Sequence, residues 1–185
     1  AHGGKCFDVL TGFKYIAEKI EQWENNPEGM QFIFGGEESY GYLLGRHAHD
    51  KDAIISSTLI AEASLAAKLE GKTLIDKLYG LWKTYGIHVE KLSSLVFPET
   101  QEGHGQIKRG MQKIEQDPPK EICGIPIIAI ENYHNSTFTN LKTGYVAKLT
   151  LPKSVVLRLW LEDGSKLMVR PSGTEPKVKF YCGVK

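Results

Sequence analysis

The sequence lacks most of the features that mark secreted, membrane-bound or nucleic-acid-binding proteins. Its three cysteines, Cys6, Cys123 and Cys182, are odd in number, far apart and never arranged as CxxC. Neither a disulfide framework nor a zinc site is indicated, and a reducing cytosol fits best. Long hydrophobic runs are missing: stretches such as residues 125–130 fall far short of a bilayer, and no basic region followed by an apolar segment opens the chain. A soluble cytoplasmic protein with no membrane partner is expected. Charge of one sign is missing too. With 23 Lys and Arg against 22 Asp and Glu, a formal charge of +1 leaves no broad basic footprint for nucleic acid, so any anion site must be local. Neither GxGxxG nor GxxxxGK[ST] follows a strand, and there is no internal repeat or low-complexity tract. What remains is 185 residues with 41% hydrophobic content, enough for one large domain or two small ones with a proper core. The chain opens on AHGG without an initiator Met and closes on FYCGVK, so it is expected to be part of a longer polypeptide.

Hydrophobic spacing divides the chain into two regions. Residues 7–10 read as a short strand, after which Phe13, Ile16, Ala17, Ile20 and Trp23 recur at helical spacing. A second apolar strand, residues 30–34, ends abruptly in Gly35-Gly36. Leu59, Ile60, Ala63, Ala66 and Ala67 mark a helix. Thr73 with Asp76 caps another, whose buried stripe is Leu74, Leu78, Leu81 and Trp82 and whose end is Gly86. The domain boundary is placed there: residues 1–86 form an α/β domain, partial and built of strand-loop-helix layers. Residues 87–185 mix periods: a strand over 88–97, a helix over 106–116 with Ile107, Met111 and Ile114 aligned, and a strand over 125–130. Then Val155, Leu157, Leu159 and Leu161 alternate with Val156, Arg158 and Trp160, Asp163-Gly164 turns the chain, and strands over 167–170 and 177–184 return. This predicts an α+β domain with an antiparallel sheet packed by helices.

Two loops carry chemistry. Arg170, Ser172, Gly173 and Thr174 lie between two predicted strands. Arg170 offers a planar fork for bidentate phosphate recognition, Ser172 and Thr174 offer hydroxyls, and Gly173 lets backbone N–H groups approach an oxyanion. The same residues also suit an ordinary tight hairpin. Earlier, a strand runs into Gly35-Gly36-Glu37-Glu38-Ser39-Tyr40-Gly41-Tyr42. Glu37 and Ser39 can bond vicinal sugar hydroxyls while Tyr40 or Tyr42 packs on an apolar sugar face; alternatively the acidic residues complement a helix N-terminus. A metal site using Asp50 and Asp52 is disfavoured for want of further oxygen ligands at a convincing spacing.

Together the two loops resemble the α-D-phosphohexomutase family of phosphoglucomutases and phosphomannomutases. FGGEESYGYLLG is similar to the sugar-binding loop of that family's third domain, and RPSGTEPKVKFY to the phosphate loop of its fourth. LTGFKYIAEKI and HDKDAIISS extend the likeness, which is weakest over residues 87–150. The resemblance implies the C-terminal half of such an enzyme: part of domain three followed by domain four. It implies that Glu37 and Ser39 bind sugar hydroxyls, that Lys14 approaches the ligand, and that Arg170, Ser172, Gly173 and Thr174 hold the non-transferring phosphate. It further implies a reaction using Mg2+ and glucose 1,6-bisphosphate in the full-length enzyme. The phosphoserine and aspartate loops of the family have no counterpart here, so no catalytic or metal-binding residue is assigned and this part alone is expected to be inactive. Its expected partners are a phosphosugar and the N-terminal domains of the same polypeptide. Many bacterial relatives carry Gly-His where this chain has Tyr40-Gly41, so no histidine acid/base carries over. The YGYL form is closer to the phosphoglucomutase branch that also contains phosphopentomutases. The alternatives are therefore a phosphopentomutase and a noncatalytic phosphosugar-binding module.

Overall fold

The computed structural model describes residues 3–26, 28–37, 40–173 and 175–184. The chain separates into two compact units, Ala1–Leu81 and Trp82–Lys185.

The first unit is organised around helix α1, Phe13–Glu24. Phe13, Ile16 and Ile20 recur at helical spacing, so one stripe of α1 is apolar, and that stripe is buried against Phe32 and Leu43. Leu43 belongs to a two-stranded antiparallel hairpin, β1 Phe34–Gly36 and β2 Tyr42–Leu44. The glycine pair explains how helix and hairpin come so close. A Cβ on Gly35 would stand 3.0 Å from Ile16 Cγ2 and from the Phe32 ring, and one on Gly36 would stand 2.5 Å from the Tyr42 ring. The expected strand over residues 7–10 is absent, and the strand expected over 30–34 begins at Phe34 instead.

Helix α2, Ala53–Leu69, starts where Asp52 accepts hydrogen bonds from the N–H groups of Ile54 and Ile55. The Asp52 N–H in turn donates to Tyr42 O at 2.8 Å, tying the helix start to the hairpin. Helix α3, Leu74–Tyr85, begins with the expected capping box: Thr73 N–H donates to Asp76 Oδ2 (2.8 Å) and Asp76 N–H to Thr73 Oγ1 (3.1 Å). It stops at Gly86, whose φ of 93° only glycine adopts freely. The expected stripe on α3 forms but is not covered: Leu78 and Leu81 are exposed, Leu74 and Trp82 half-buried.

The second unit is an antiparallel sheet. Its strands are β3 Val89–Val96, β4 Glu121–Ile122, β5 Ile125–Asn132, β6 Thr137–Asn140, β7 Val146–Lys148, β8 Leu157–Leu161, β9 Lys166–Pro171 and β10 Lys177–Val184. The order is β3-β10-β9-β8-β5-β6-β7, with β4 paired to β5. β8 shows how sequence pattern becomes a core: Leu157, Leu159 and Leu161 are buried while Arg158 and Trp160 between them are not. The expected alternation does not reach back to Val155, which is exposed while Val156 is buried, because the strand starts only at Leu157. Helix α4, Gln101–Gln116, meets the sheet through Glu115, which accepts a hydrogen bond from the Asn132 side chain at 2.6 Å. Ile107, Met111 and Ile114 are half-buried, as their spacing predicts. The other side of β5 and β8 carries an ionic cluster. Glu131 accepts from Trp160 Nε1 (2.9 Å) and the Tyr133 hydroxyl (2.5 Å) and pairs with Arg158 (3.1 Å), whose guanidinium lies 5.7 Å from both ring centroids.

Candidate functional site

The first candidate loop connects β1 to β2, so Glu37 follows a strand and precedes a strand. Glu37 therefore does not open a helix of its own, although its carboxylate meets the N-terminus of α1, so the electrostatic role open at the level of sequence is met at that helix. The loop is tight: the N–H of Glu37 donates to Gly41 O at 2.8 Å. The Glu37 carboxylate is held on one side, where Oε1 accepts from the Gly12 N–H at 2.9 Å. Gly12 caps α1 in a positive-φ conformation (127°), so α1 packing and the Glu37 position are linked through one backbone group. On the other side Lys51 Nζ stands 3.8 Å from Oε2, too far for a direct hydrogen bond. The Glu37 side chain is only 10% exposed. One oxygen is thus occupied by protein and the other has acceptor capacity for an incoming hydroxyl. Lys51 reaches this point because Gly41 has no side chain; a Cβ there would lie 2.8 Å from Lys51 Cδ and 3.3 Å from Glu37 Oε2. Lys14 sits in the first turn of α1, its ammonium 4.8 Å from the Tyr15 ring centroid. Ser39 lies outside the described residues.

Asp50 and Asp52 have local structural duties. Asp50 accepts from the Lys51 N–H, and Asp52 caps α2 while its Oδ2 accepts from His47 Nε2 at 2.8 Å. Among the described residues, no three His, Cys, Asp or Glu side chains converge in a way that would hold a metal ion.

The second candidate loop joins β9 to β10, where a cavity of about 390 Å³ is lined by Arg170, Pro171, Ser172, Gly173, Glu175, Lys177 and Lys179. Ser172 N–H donates to Lys177 O (2.8 Å) and Lys177 N–H to Glu175 O (2.7 Å), closing the loop on itself. The Glu175 N–H donates to the Ser172 hydroxyl oxygen at 3.3 Å. Pro176 is anchored from the β3 side, its carbonyl accepting from Phe97 N–H at 2.7 Å. Arg170, Ser172 and Gly173 line one cavity, and Thr174 lies outside the described residues.

Lys177 and Lys179 were not singled out from sequence. The ladder reveals them: Lys179 is the direct cross-strand partner of Arg170, so the two cationic side chains project from the same face of adjacent strands. Lys177 is bonded to Glu175 (2.5 Å), and that hydrogen bond, with the Lys177 and then the Lys179 charge, holds the Glu175 carboxyl below its ordinary pKa. The signal in the sequence was the i, i+2 spacing of two lysines directly after the loop, which places both on one face of a strand.

Residues 1–85 match the family model described as phosphoglucomutase/phosphomannomutase, alpha/beta/alpha domain III. A phosphoglucomutase of Staphylococcus epidermidis is 41% identical over 183 residues, covering 99% of this chain and 33% of that protein. One from Staphylococcus aureus is 40% identical over 178 residues, covering 96% of this chain and 31% of the relative. The chain thus spans about a third of the length of the curated relatives it matches. In fold it is similar to the open form of the exocytosis-sensitive phosphoprotein parafusin, a phosphoglucomutase from Paramecium. That match has a TM-score of 0.61 at 18% identity and covers 98% of this chain and 29% of the other. With identity of 40–41% sustained along nearly its whole length and a matching domain over residues 1–85, the chain belongs to the phosphoglucomutase/phosphomannomutase family.

Proposed function

We propose that this chain supplies substrate recognition to a phosphohexose mutase that interconverts hexose 1-phosphate and hexose 6-phosphate. Glu37, with Ser39 and Lys14, serves the sugar hydroxyls; Arg170, Ser172, Gly173 and Thr174 serve the phosphate that is not being transferred, with Lys177 and Lys179 added to that set. The observation that carries this reading is the like-charged cross-strand pair of Arg170 and Lys179 at one cavity. Like charges directly opposite each other destabilise a sheet, and an anion between them converts that repulsion into attraction. The phosphate esters named by the family's activity are such anions.

Mg2+ and glucose 1,6-bisphosphate belong, in this reading, to the full-length enzyme. The described residues offer no converging ligand set for Mg2+, so the chain is assigned no step through the metal. Its contribution is binding and orientation, which lower a barrier by fixing the reactant before the chemistry occurs.

Calorimetric titration with inorganic phosphate and with a hexose 6-phosphate tests the reading. Arg170→Lys keeps the charge and loses the fork, and should weaken both ligands by roughly one to two decades, the range for a lost hydrogen bond to a charged group. Glu37→Gln should weaken only the hexose phosphate. Full-strength phosphate binding by Arg170→Lys, with an unchanged thermal midpoint, contradicts the phosphate assignment.

A further inference from the structure

We infer that Tyr40 is the specificity-determining aromatic of the sugar loop, the surface on which the C–H face of a cyclic sugar phosphate rests. The inference depends on reading the loop after β1 as sugar-binding. The loop has two tyrosines, and the structure separates them. Tyr42 is used by the hairpin itself: its ring stacks on Phe34 with centroids 6.0 Å apart and planes 17° apart, and it lies against Gly36. Tyr40 is the opposite case. Its side chain is 90% exposed, and its backbone holds a φ of 66°, in the left-handed region that glycine adopts freely and tyrosine does not. The backbone cannot readily relax, because the Glu37 N–H to Gly41 O bond closes the loop around it. A large apolar ring is thus held outward at a steric cost, and such cost on non-glycine residues concentrates at ligand sites.

The neighbouring group fits a sugar. A pyranose presents a rim of hydroxyls and a face of C–H bonds, so a site for it combines hydrogen-bonding groups with an aromatic plane. Glu37, three residues before Tyr40, is oriented by Gly12 and retains acceptor capacity for the rim. Tyr40 supplies the plane. Because the ring reads the sugar face and not the phosphate, it discriminates cyclic sugar phosphates from acyclic ones.

The test titrates the full chain with a hexose 6-phosphate and with glycerol 3-phosphate, which has the phosphate but no ring face. Tyr40→Gly should weaken hexose phosphate binding by about threefold to tenfold, the range of an aromatic contact. It should leave glycerol 3-phosphate within about twofold and melt no lower than wild type, since glycine accepts the positive φ. Tyr40→Phe should restore hexose phosphate binding. If Tyr40→Gly binds hexose phosphate like wild type while Glu37→Gln binds it poorly, the Tyr40 inference fails and the sugar-loop reading stands. If neither substitution matters, or if wild type binds both ligands equally, the sugar-loop reading fails and takes the inference with it.

Discussion

Glu175 is an acidic residue in a cavity lining that also carries Arg170, Lys177 and Lys179, and its pairing with Lys177 would compete with an anion bound there. Glu175→Gln should therefore strengthen sulfate binding by roughly twofold to fivefold, as expected for removing one exposed charge. Added salt should shrink the difference. Unchanged sulfate affinity in low salt would mean that the Lys177 ammonium plays no part at the cavity. Asp52 offers a separate test in the first unit. The His47 hydrogen bond, followed by that from the Ile55 N–H, holds its carboxyl below the ordinary 3.8. A depressed carboxyl stabilises the fold above its unfolded-state pKa and loses that contribution as pH falls through the lower folded value. Thermal midpoints should thus differ between wild type and Asp52→Ala by a few degrees at neutral pH, and the gap should close in acid below that range. A gap that stays constant down to strong acid would contradict the capping role. At this scale the sequence was partly legible. Arg170 announced itself by type and position, whereas Lys179 required the β9–β10 register, because lysines on a strand usually mark only a solvated face.

Secondary structure was most legible where local chemistry suffices. The Thr73–Asp76 box, the Gly86 stop and the Ile107, Met111 and Ile114 stripe all act within a turn or two, and each appears where its residues predict. The hairpin of β1 and β2 was not legible, since three-residue strands are too short to establish a period of two. Residues 7–10 show the converse: an apolar run becomes a strand only by pairing, and among the described residues it has no ladder. Of the hairpin glycines Gly35, Gly36 and Gly41, Gly36 leaves the least room for a side chain. Gly36→Ala drives a methyl into the Tyr42 ring and should cost about 1–3 kcal/mol by overpacking, read as a lower denaturation midpoint. Gly110, inside α4 with nothing within 4 Å of its missing Cβ, provides the control. Gly110→Ala should stabilise by about 0.5–1 kcal/mol, because alanine loses less backbone freedom in a helix. Equal effects at the two positions would show that the close approach of Tyr42 to Gly36 does not constrain the hairpin.

At the scale of the molecule, the proposed anion site in a chain with a formal charge of +1 rests on arrangement rather than composition, namely the pairing of Arg170 with Lys179 in the β9–β10 ladder. Helix α2 is another feature the whole chain brings into view. It is apolar on most sides, yet among its described residues only Ala67 is buried. The two-unit division falls within α3, a few residues before the Gly86 boundary drawn from sequence, because the glycine marks where the helix ends and the contacts mark where the packing changes. The reading of the chain as a recognition part predicts no turnover above blank when the 185 residues are assayed with glucose 1-phosphate, magnesium and glucose 1,6-bisphosphate. Turnover by the purified chain would contradict that assignment of roles. Amide-resolved magnetic resonance of the chain titrated with inorganic phosphate shows whether the loop between β9 and β10 is a phosphate site. A phosphate site there gives the largest saturable shifts at the amides of Ser172, Gly173, Lys177 and Lys179, all abolished by Arg170→Ala; shifts centred elsewhere, or none at these residues, would rule it out.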